Sequence, residues 1–141
     1  MEDIVDFIIG CIAGMLCWFF GEIDGFIKVL ITFAIIDYLS GVAAAYARHE
    51  LSSEIGFKGI AKKILIFALV GIAHVIDKNL LGDTEALKTA VCLFYVGNEG
   101  ISILENAVHL GLPVPESLKE KLLNFTKEEN DKKVKKAKKV K

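Results

Sequence analysis

Four long apolar segments constrain the fold of this chain more than any other feature of its sequence. Each contains 17 to 21 residues and only one to three charged side chains. An α-helix rises about 1.5 Å per residue and the hydrocarbon core of a bilayer is about 30 Å thick, so segments of this length predict membrane-spanning helices. The four predicted spans are residues 4–20, 26–46, 60–76 and 86–106.

A soluble helical bundle is the alternative to a membrane protein. Helices of soluble bundles carry an apolar stripe on one face and charged residues on the opposite face. Residues 29–36, 64–73 and 90–97 contain no charged side chain at all. Hydrophobic residues make up 53% of the chain before its 12 glycines are counted, against about 45–50% with glycine in soluble domains. These observations favour an all-α, polytopic membrane protein and argue against an ordinary soluble enzyme.

The distribution of lysine and arginine predicts the topology. Residues 1–112, the predicted membrane domain, hold seven basic and 13 acidic side chains, whereas residues 113–141 hold ten lysines and five acids. Basic residues also cluster between the second and third segments, and cytoplasmic loops are enriched in such residues. Four spans therefore place both termini in the cytoplasm of a bacterial cell. If residues 4–20 lie in the membrane interface instead, three spans remain and the C-terminus is still cytoplasmic.

The C-terminal region is polar and predicts two further elements. Leu118, Leu122 and Phe125 have the spacing of one helix face, which indicates an amphipathic surface helix over residues 113–126. Residues 127–141 are low in complexity and rich in lysine, which predicts a disordered tail. Beside a membrane domain such a tail is expected to bind anionic lipids rather than nucleic acid. A solvated tail that only sets the orientation of the chain is the other interpretation.

Catalytic and metal-binding signatures are not found in the sequence, so neither an enzyme nor a cofactor is predicted. The three cysteines lie inside apolar segments without a CxxC pair, where cysteine behaves as a small hydrophobic residue. Gly10 and Gly14 form a GxxxG pair in the first segment. Such a pair allows another helix to approach closely, although two glycines at this spacing also occur by chance.

Polar residues inside the apolar segments are the candidate functional residues. A charged Asp at the centre of a membrane helix costs about 3 kcal/mol, so Asp37 is expected to be paired, neutral or in contact with water. It shares a helix face with Ser40 and Gly41. This face is expected either to line a water-filled or oligomer-forming seam, or to bond internally to a hydroxyl or lysine of its own subunit.

The fourth segment carries a second and longer polar stripe. A lipid-facing position is untenable for this stripe, so it is expected to face protein or water. In the four-span topology its glutamates lie at the same end as Lys62 and Lys63, which makes these lysines candidate ion-pair partners. His74 lies toward the other end of the third segment and is expected either to line the lumen or an oligomer seam with these polar residues, or to be interfacial and hydrogen-bonded. The stripe consists of Asn98, Glu99, Ser102 and Glu105.

Several of these motifs resemble the toxin secretion/phage lysis holin family. The similarity rests on residues 37–41 (DYLSG), 52–59 (SSEIGFKG) and 74–77 (HVID), followed by 98–106 (NEGISILEN) and 110–115 (LGLPVP). The motifs occur in order from about residue 37 to residue 122. The resemblance does not extend to residues 1–25 or to the lysine-rich tail.

The resemblance implies a phage-encoded protein of the bacterial inner membrane that forms homo-oligomers. Members of this family open lesions that release an endolysin or a large toxin, a partner to which they need not bind stably. A non-lytic channel or transporter subunit is one alternative, although the chain shows no clear internal repeat. A membrane anchor that recruits partners through the basic tail is another.

Overall fold

The computed structural model describes residues 1–118, 120, 121 and 124, and this part of the chain is helical without a β-strand. The prediction of an all-α fold is therefore confirmed. Residues 116–118, 120, 121 and 124 are also helical, whereas Leu122, Phe125 and the predicted tail of residues 127–141 lie outside the described residues. The long helices are α1 (Glu2–Phe20), α2 (Gly25–Ala47), α3 (Ser53–Leu80) and α4 (Ala86–His109).

Side-chain caps explain where two of the helices begin. The Asp24 carboxylate accepts a hydrogen bond of 3.0 Å from the backbone N–H of Ile27 at the start of α2. The Ser52 hydroxyl accepts one of 3.2 Å from the N–H of Ile55, so α3 begins at Ser53 rather than near residue 60. A cap of this kind satisfies an N–H that has no partner within the helix. The stretch expected to be a loop between α2 and α3 is therefore largely the first two turns of α3.

Three of the four helices are long and apolar enough to cross a membrane, namely α1, α2 and α3. Helix α4 is not among them, and the predicted fourth span is therefore not confirmed. Its second half contains Asn98, Glu99 and Glu105, which lower the hydropathy of the helix. Helix α4 is instead the helix that packs against both α2 and α3.

The core of the fold lies where α2, α3 and α4 meet. Ile27 and Leu30 of α2 pack against Ile66 and Val70 of α3 and against Cys92 of α4. Contacts at both ends of the helices show that α2 and α4 run in the same direction and that α3 runs antiparallel to them. The end that holds residues 21–24 and 77–88 is called the acidic end, and the end that holds residues 48–63 is called the basic end.

Within the described part of the chain, helix α1 is attached to the other helices only near its C-terminal end. None of its residues is buried, and only Phe19 and Phe20 are half-buried. The ring of Phe19 lies directly over Gly71 of α3, and the backbone at Gly21 lies against the ring of His74. A side chain at either glycine would overlap these rings. The two glycines are therefore what allows α1 to approach α3.

We expect Gly71→Ala to weaken this attachment, because a methyl group there would overlap the ring of Phe19. Overpacking typically costs about 1–3 kcal/mol, whereas Gly→Ala in a free helix is favourable by up to about 1 kcal/mol. The matched control is Gly10→Ala, since a methyl group at Gly10 would meet no side chain or other helix within 4 Å among the described residues. Thermal unfolding in detergent should place Gly71→Ala below Gly10→Ala. Equal melting temperatures would show that the contact contributes nothing.

Candidate functional site

The central feature of the structure is a cluster of charged side chains buried between α2, α3 and α4. Lys63 of α3 donates hydrogen bonds to Asp37 of α2 and to Glu99 of α4. The three side chains are only 14%, 9% and 0% exposed, respectively. Removing charges from water costs several kcal/mol per ion, so these groups are stable inside the protein only because they pair with one another.

Uncharged polar groups complete the surroundings of Asp37. The Asn106 side-chain amide donates to Asp37 Oδ1 at 3.2 Å and to the Ser40 hydroxyl oxygen at 3.0 Å. The Ser40 hydroxyl in turn donates to the Asp37 backbone carbonyl at 3.1 Å. Gly41 lies beside Asn106 on this face of α2, and a Cβ there would make ordinary van der Waals contact with the amide at 3.5 Å. The small polar face of α2 thus bonds within its own subunit.

Glu99 is held less completely than Asp37. Its Oε2 accepts from Lys63, but its Oε1 is buried and has no hydrogen-bond donor within the described part of the chain. Lys62 Nζ lies 3.9 Å from Oε1, and the Lys62 side chain is 53% exposed. Two carboxylates and two ammonium groups therefore balance in charge, while one carboxylate oxygen lacks a direct donor. This oxygen is the weakest point of the cluster.

The structure brings together most of the residues that the sequence singled out, but not all of them. Those at the cluster are Asp37, Ser40, Gly41, Lys62, Lys63, Glu99 and the half-buried Ser102. Asn98 is half-buried on the same helix as Glu99, whereas Glu105 is exposed and makes no ion pair within the described residues. His74 lies at the acidic end, and Gly10 and Gly14 face open space.

A second buried cluster lies at the acidic end. The Asp77 carboxylate is fully buried and accepts from the backbone N–H groups of Leu87, at 3.1 Å, and Lys88, at 2.8 Å. Asp77 thereby caps the first turn of α4 from the end of α3. Lys88, also fully buried, donates to the Glu22 carbonyl at 3.0 Å and lies 3.4 Å from Asp24 Oδ2. This cluster joins both connectors at the acidic end to the helices.

Burial by itself raises the pKa of Asp24. The hydrogen bond from Ile27 and the charge of Lys88 together lower this pKa by more than burial raises it, so the pKa lies below its usual value. Asp24 therefore stays ionised as the cap of α2.

His74 is buried, and neither ring nitrogen has a hydrogen-bond partner within the described residues. Its Nδ1 lies 3.8 Å from Glu85 Oε1, and its ring supports Gly21. The expected hydrogen-bonded interfacial histidine is thus a packing residue here.

Asp77 and Lys88 are buried polar residues that the sequence patterns did not predict. Lys88 lies two residues inside α4, and a lysine in an apolar segment is itself a signal of a buried partner. Asp77 was interpreted as part of a connector, because its contact with the start of α4 depends on how α3 ends at Leu80. Among the described residues no group of three or more His, Cys, Asp or Glu side chains is arranged to hold a metal ion.

The apolar helices and the paired charges between them define the class of this molecule: it is an all-helical membrane protein. The chain belongs to the bacteriophage holin family, whose family model matches residues 14–127. The resemblance found in the sequence motifs is therefore confirmed, and the match includes the last two turns of α1, from residue 14, and all of α2, α3 and α4.

Among the individual proteins that resemble this chain, one is described as a holin and others are uncharacterized. A protein described as a probable holin of Bacillus phage phi105 is 33% identical over 119 residues, which cover 84% of this chain and 86% of the relative. An uncharacterized protein of Listeria monocytogenes is 50% identical over 125 residues, covering 89% of both chains. An uncharacterized 14.9 kDa protein from the nagH 3′ region of Clostridium perfringens is 41% identical, covering 86% of this chain and 95% of the relative. No solved structure matches the chain significantly.

Proposed function

We propose that this protein is a holin that oligomerises in the cytoplasmic membrane of a bacterial host and opens lesions. These lesions would let an endolysin, or a toxin, leave the cytoplasm without binding the holin stably. Membership of the bacteriophage holin family is the observation that carries this proposal. The protein acts by forming lesions in the membrane and not as an enzyme, and it needs no cofactor.

The proposed topology has four spans with both termini in the cytoplasm. Helix α4 crosses the membrane as the fourth span although its hydropathy is lower, because Glu99 and Asn106 bond to α3 and α2 rather than facing lipid. The basic end, with Arg48, Lys58 and Lys62 exposed, lies on the cytoplasmic side. The lysine-rich residues 127–141 then lie beside the anionic cytoplasmic leaflet, where each lysine contributes about 1 kcal/mol to binding.

The buried charge cluster suggests how such a protein stays closed. While Lys63 bridges Asp37 and Glu99, each subunit hides its charges from lipid without forming an aqueous path. If the helices separate as subunits accumulate, these groups lose their partners and are stabilised by water instead. The polar faces of α2 and α4 then line a common lumen. Membrane voltage biases this change, since each unit charge that crosses the field contributes about 2.3 kcal/mol per 100 mV.

The decisive experiment is co-expression in a bacterial host with a cytoplasmic endolysin that lacks an export signal. We expect abrupt lysis after a delay, and only when both genes are present, with culture density and membrane potential followed together. Depolarisation without release of endolysin would indicate a small channel instead. No effect on either measurement, with the protein present in the membrane, would favour a transporter subunit or an anchor.

Deleting residues 127–141 distinguishes a membrane anchor from a holin. A protein that forms lesions should still permeabilise the membrane without the tail, whereas an anchor that recruits partners through the tail should lose its function.

The same assay tests the closed state through conservative variants. Asp37→Asn and Glu99→Gln remove one charge each from the cluster and are expected to change the time of lysis. Glu105→Gln makes the same chemical change on the exposed side of α4 and serves as the matched control. Unchanged timing in all three variants, at equal accumulation, would contradict a role of the cluster in holding the protein closed.

A further inference from the structure

Helices α3 and α4 meet along a seam that is bordered by one stripe of side chains from each helix. Toward the acidic end the seam holds a cavity of about 310 Å³ with apolar and aromatic walls. The α3 residues that line it include Leu69 and Ile72, which are 40% and 48% exposed. The α4 residues include Val91 and Phe94. This half of the seam is therefore an apolar surface that opens to the outside of the subunit.

Toward the basic end the same two stripes become polar. Residues three or four positions apart share a helix face, so the α3 stripe continues from Leu69 through Leu65 to Lys62. The α4 stripe continues four residues beyond the cavity to Asn98. The distance of 3.9 Å between Lys62 Nζ and Glu99 Oε1 confirms that Lys62 lies on the side of α3 nearest α4. Within the described part of the chain, neither the Lys62 nor the Asn98 side chain has a hydrogen-bond partner.

These two polar groups lie deep in the proposed membrane domain. They are the sequence neighbours of Lys63 and Glu99, which bond to each other in the buried cluster. Asp37 and Glu99 of that cluster each lie ten residues from the basic end of their helix, which is about 15 Å, or half of a hydrocarbon core of about 30 Å. Lysines reach the interface from positions near helix ends, not from this depth. Lipid over this part of the seam would therefore leave both groups without partners.

A second copy of this chain supplies the missing partners. Because α3 and α4 are antiparallel and Lys63 bonds to Glu99, Lys62 and Asn98 lie within about 3 Å of each other along the membrane normal. All copies share one orientation in the membrane. A two-fold axis along the membrane normal therefore sets α3 of one copy against α4 of the other. The Lys62 ammonium then faces the second copy's Asn98 at nearly equal depth, and the same contact occurs twice.

We propose that two copies of this chain associate through the seam between α3 and α4 about such an axis. Lys62 of each copy donates to the Asn98 side-chain oxygen of the other, and the apolar halves of the two seams pack together. Asparagine side chains often bond across helices in membranes in this way. This inference rests on the proposed function as a homo-oligomeric holin and names one interface. The face is complementary to itself, so the contact closes as a dimer from which larger assemblies are built.

Cross-linking between two differently tagged copies in bacterial membranes tests this interface. Both copies carry Cys11→Ser and Cys17→Ser, and their third cysteine is buried. One copy adds Phe94→Cys and the other Leu65→Cys, so a short bismaleimide can join the introduced cysteines only between copies. The matched control carries Ile64→Cys instead of Leu65→Cys, because the two residues are 64% and 66% exposed but Ile64 lines a cavity between α2 and α3. It should cross-link several times less.

Variants of Asn98 test the polar contact itself. Asn98→Leu in both copies should lower the yield several-fold at equal accumulation, because both Lys62 groups lose their acceptor. Asn98→Gln keeps the amide and should retain most of the yield. Glu105→Gln is the matched control, since Glu105 is exposed only four residues from the end of α4, where water solvates it, and should leave the yield unchanged.

Three results would each overturn the proposal: equal yields for Leu65→Cys and Ile64→Cys, no linkage because lipid or water covers the seam, and a yield that Asn98→Leu does not change. The measurement needs no endolysin. Cross-linking without lysis would therefore count against the proposed function alone, and lysis without cross-linking against this interface alone.

Discussion

Replacing Lys63 with methionine is expected to lower the free energy of unfolding by about 3–5 kcal/mol, the cost typical of breaking a buried ion pair. Methionine keeps most of the side-chain volume but leaves Asp37 and Glu99 buried without their shared donor. Glu99 is affected most, because its other oxygen already lacks a hydrogen bond within the described residues. Thermal unfolding of the purified protein in detergent, together with its level in membranes, measures the effect.

Two controls identify the cause of this loss. Lys62→Met removes the neighbouring lysine, whose side chain is 53% exposed, and should cost less than about 1 kcal/mol, as exposed ion pairs do. Combining Lys63→Met with Asp37→Asn and Glu99→Gln removes the charges together and should recover much of the stability. If the triple variant were no more stable than Lys63→Met, the loss would arise from packing and not from unpaired charge.

Asp77→Asn is expected to lower the free energy of unfolding by about 2 kcal/mol, because charge-assisted hydrogen bonds contribute about 1.5–3 kcal/mol each. The two carboxylate oxygens of Asp77 accept separately from Leu87 and Lys88. An asparagine offers one oxygen and turns its amide toward the second N–H, so one buried donor loses its partner. The effect should appear as a lower melting temperature and as faster proteolysis between α3 and α4.

Asp83→Asn is the matched control for Asp77→Asn. It makes the same change six residues further on, in the connector after α3, but the Asp83 side chain is exposed, and its backbone φ of 60° is one that asparagine tolerates. Its stability should stay near that of the unmodified protein. If both variants melted alike, the net charge of the connector would be the relevant quantity rather than the cap on α4.

Much of the fold was predictable from the sequence because apolar length is a local property. The bounds of α1, α2 and α4 differ from the predicted segments by three residues or fewer. The start of α3 was missed because residues 53–59 are polar and rich in glycine, although Ser52 is a standard capping residue. That α4 spans the membrane stays a prediction. The polar stripe on one face of α4 lowers the hydropathy of the whole helix, although its other faces are apolar.

The candidate site was predictable only in part. Asp37 and Glu99 stand out because charges are costly inside apolar segments, and topology places Lys62 and Lys63 at the same end. Which lysine bridges the two acids depends on the rotation of α3, since successive residues differ by about 100° around a helix. Packing of Ile66 and Val70 into the core sets that rotation. Asp77 was missed because its partners depend on a tertiary contact.

The lengths of α1 and α3 have a consequence for the bilayer around the protein. Helix α1 has 19 residues and α3 has 28, or about 28 Å and 42 Å at 1.5 Å per residue. A hydrocarbon core of about 30 Å cannot match both. The longer helix can tilt or extend into water through its polar first turns, whereas the shorter one must thin the surrounding lipid. Helix α1 therefore nearly matches the hydrocarbon core, with a shortfall of about 2 Å, whereas α3 exceeds it by about 12 Å. The larger adjustment to bilayer thickness falls on α3, the helix that carries Lys63.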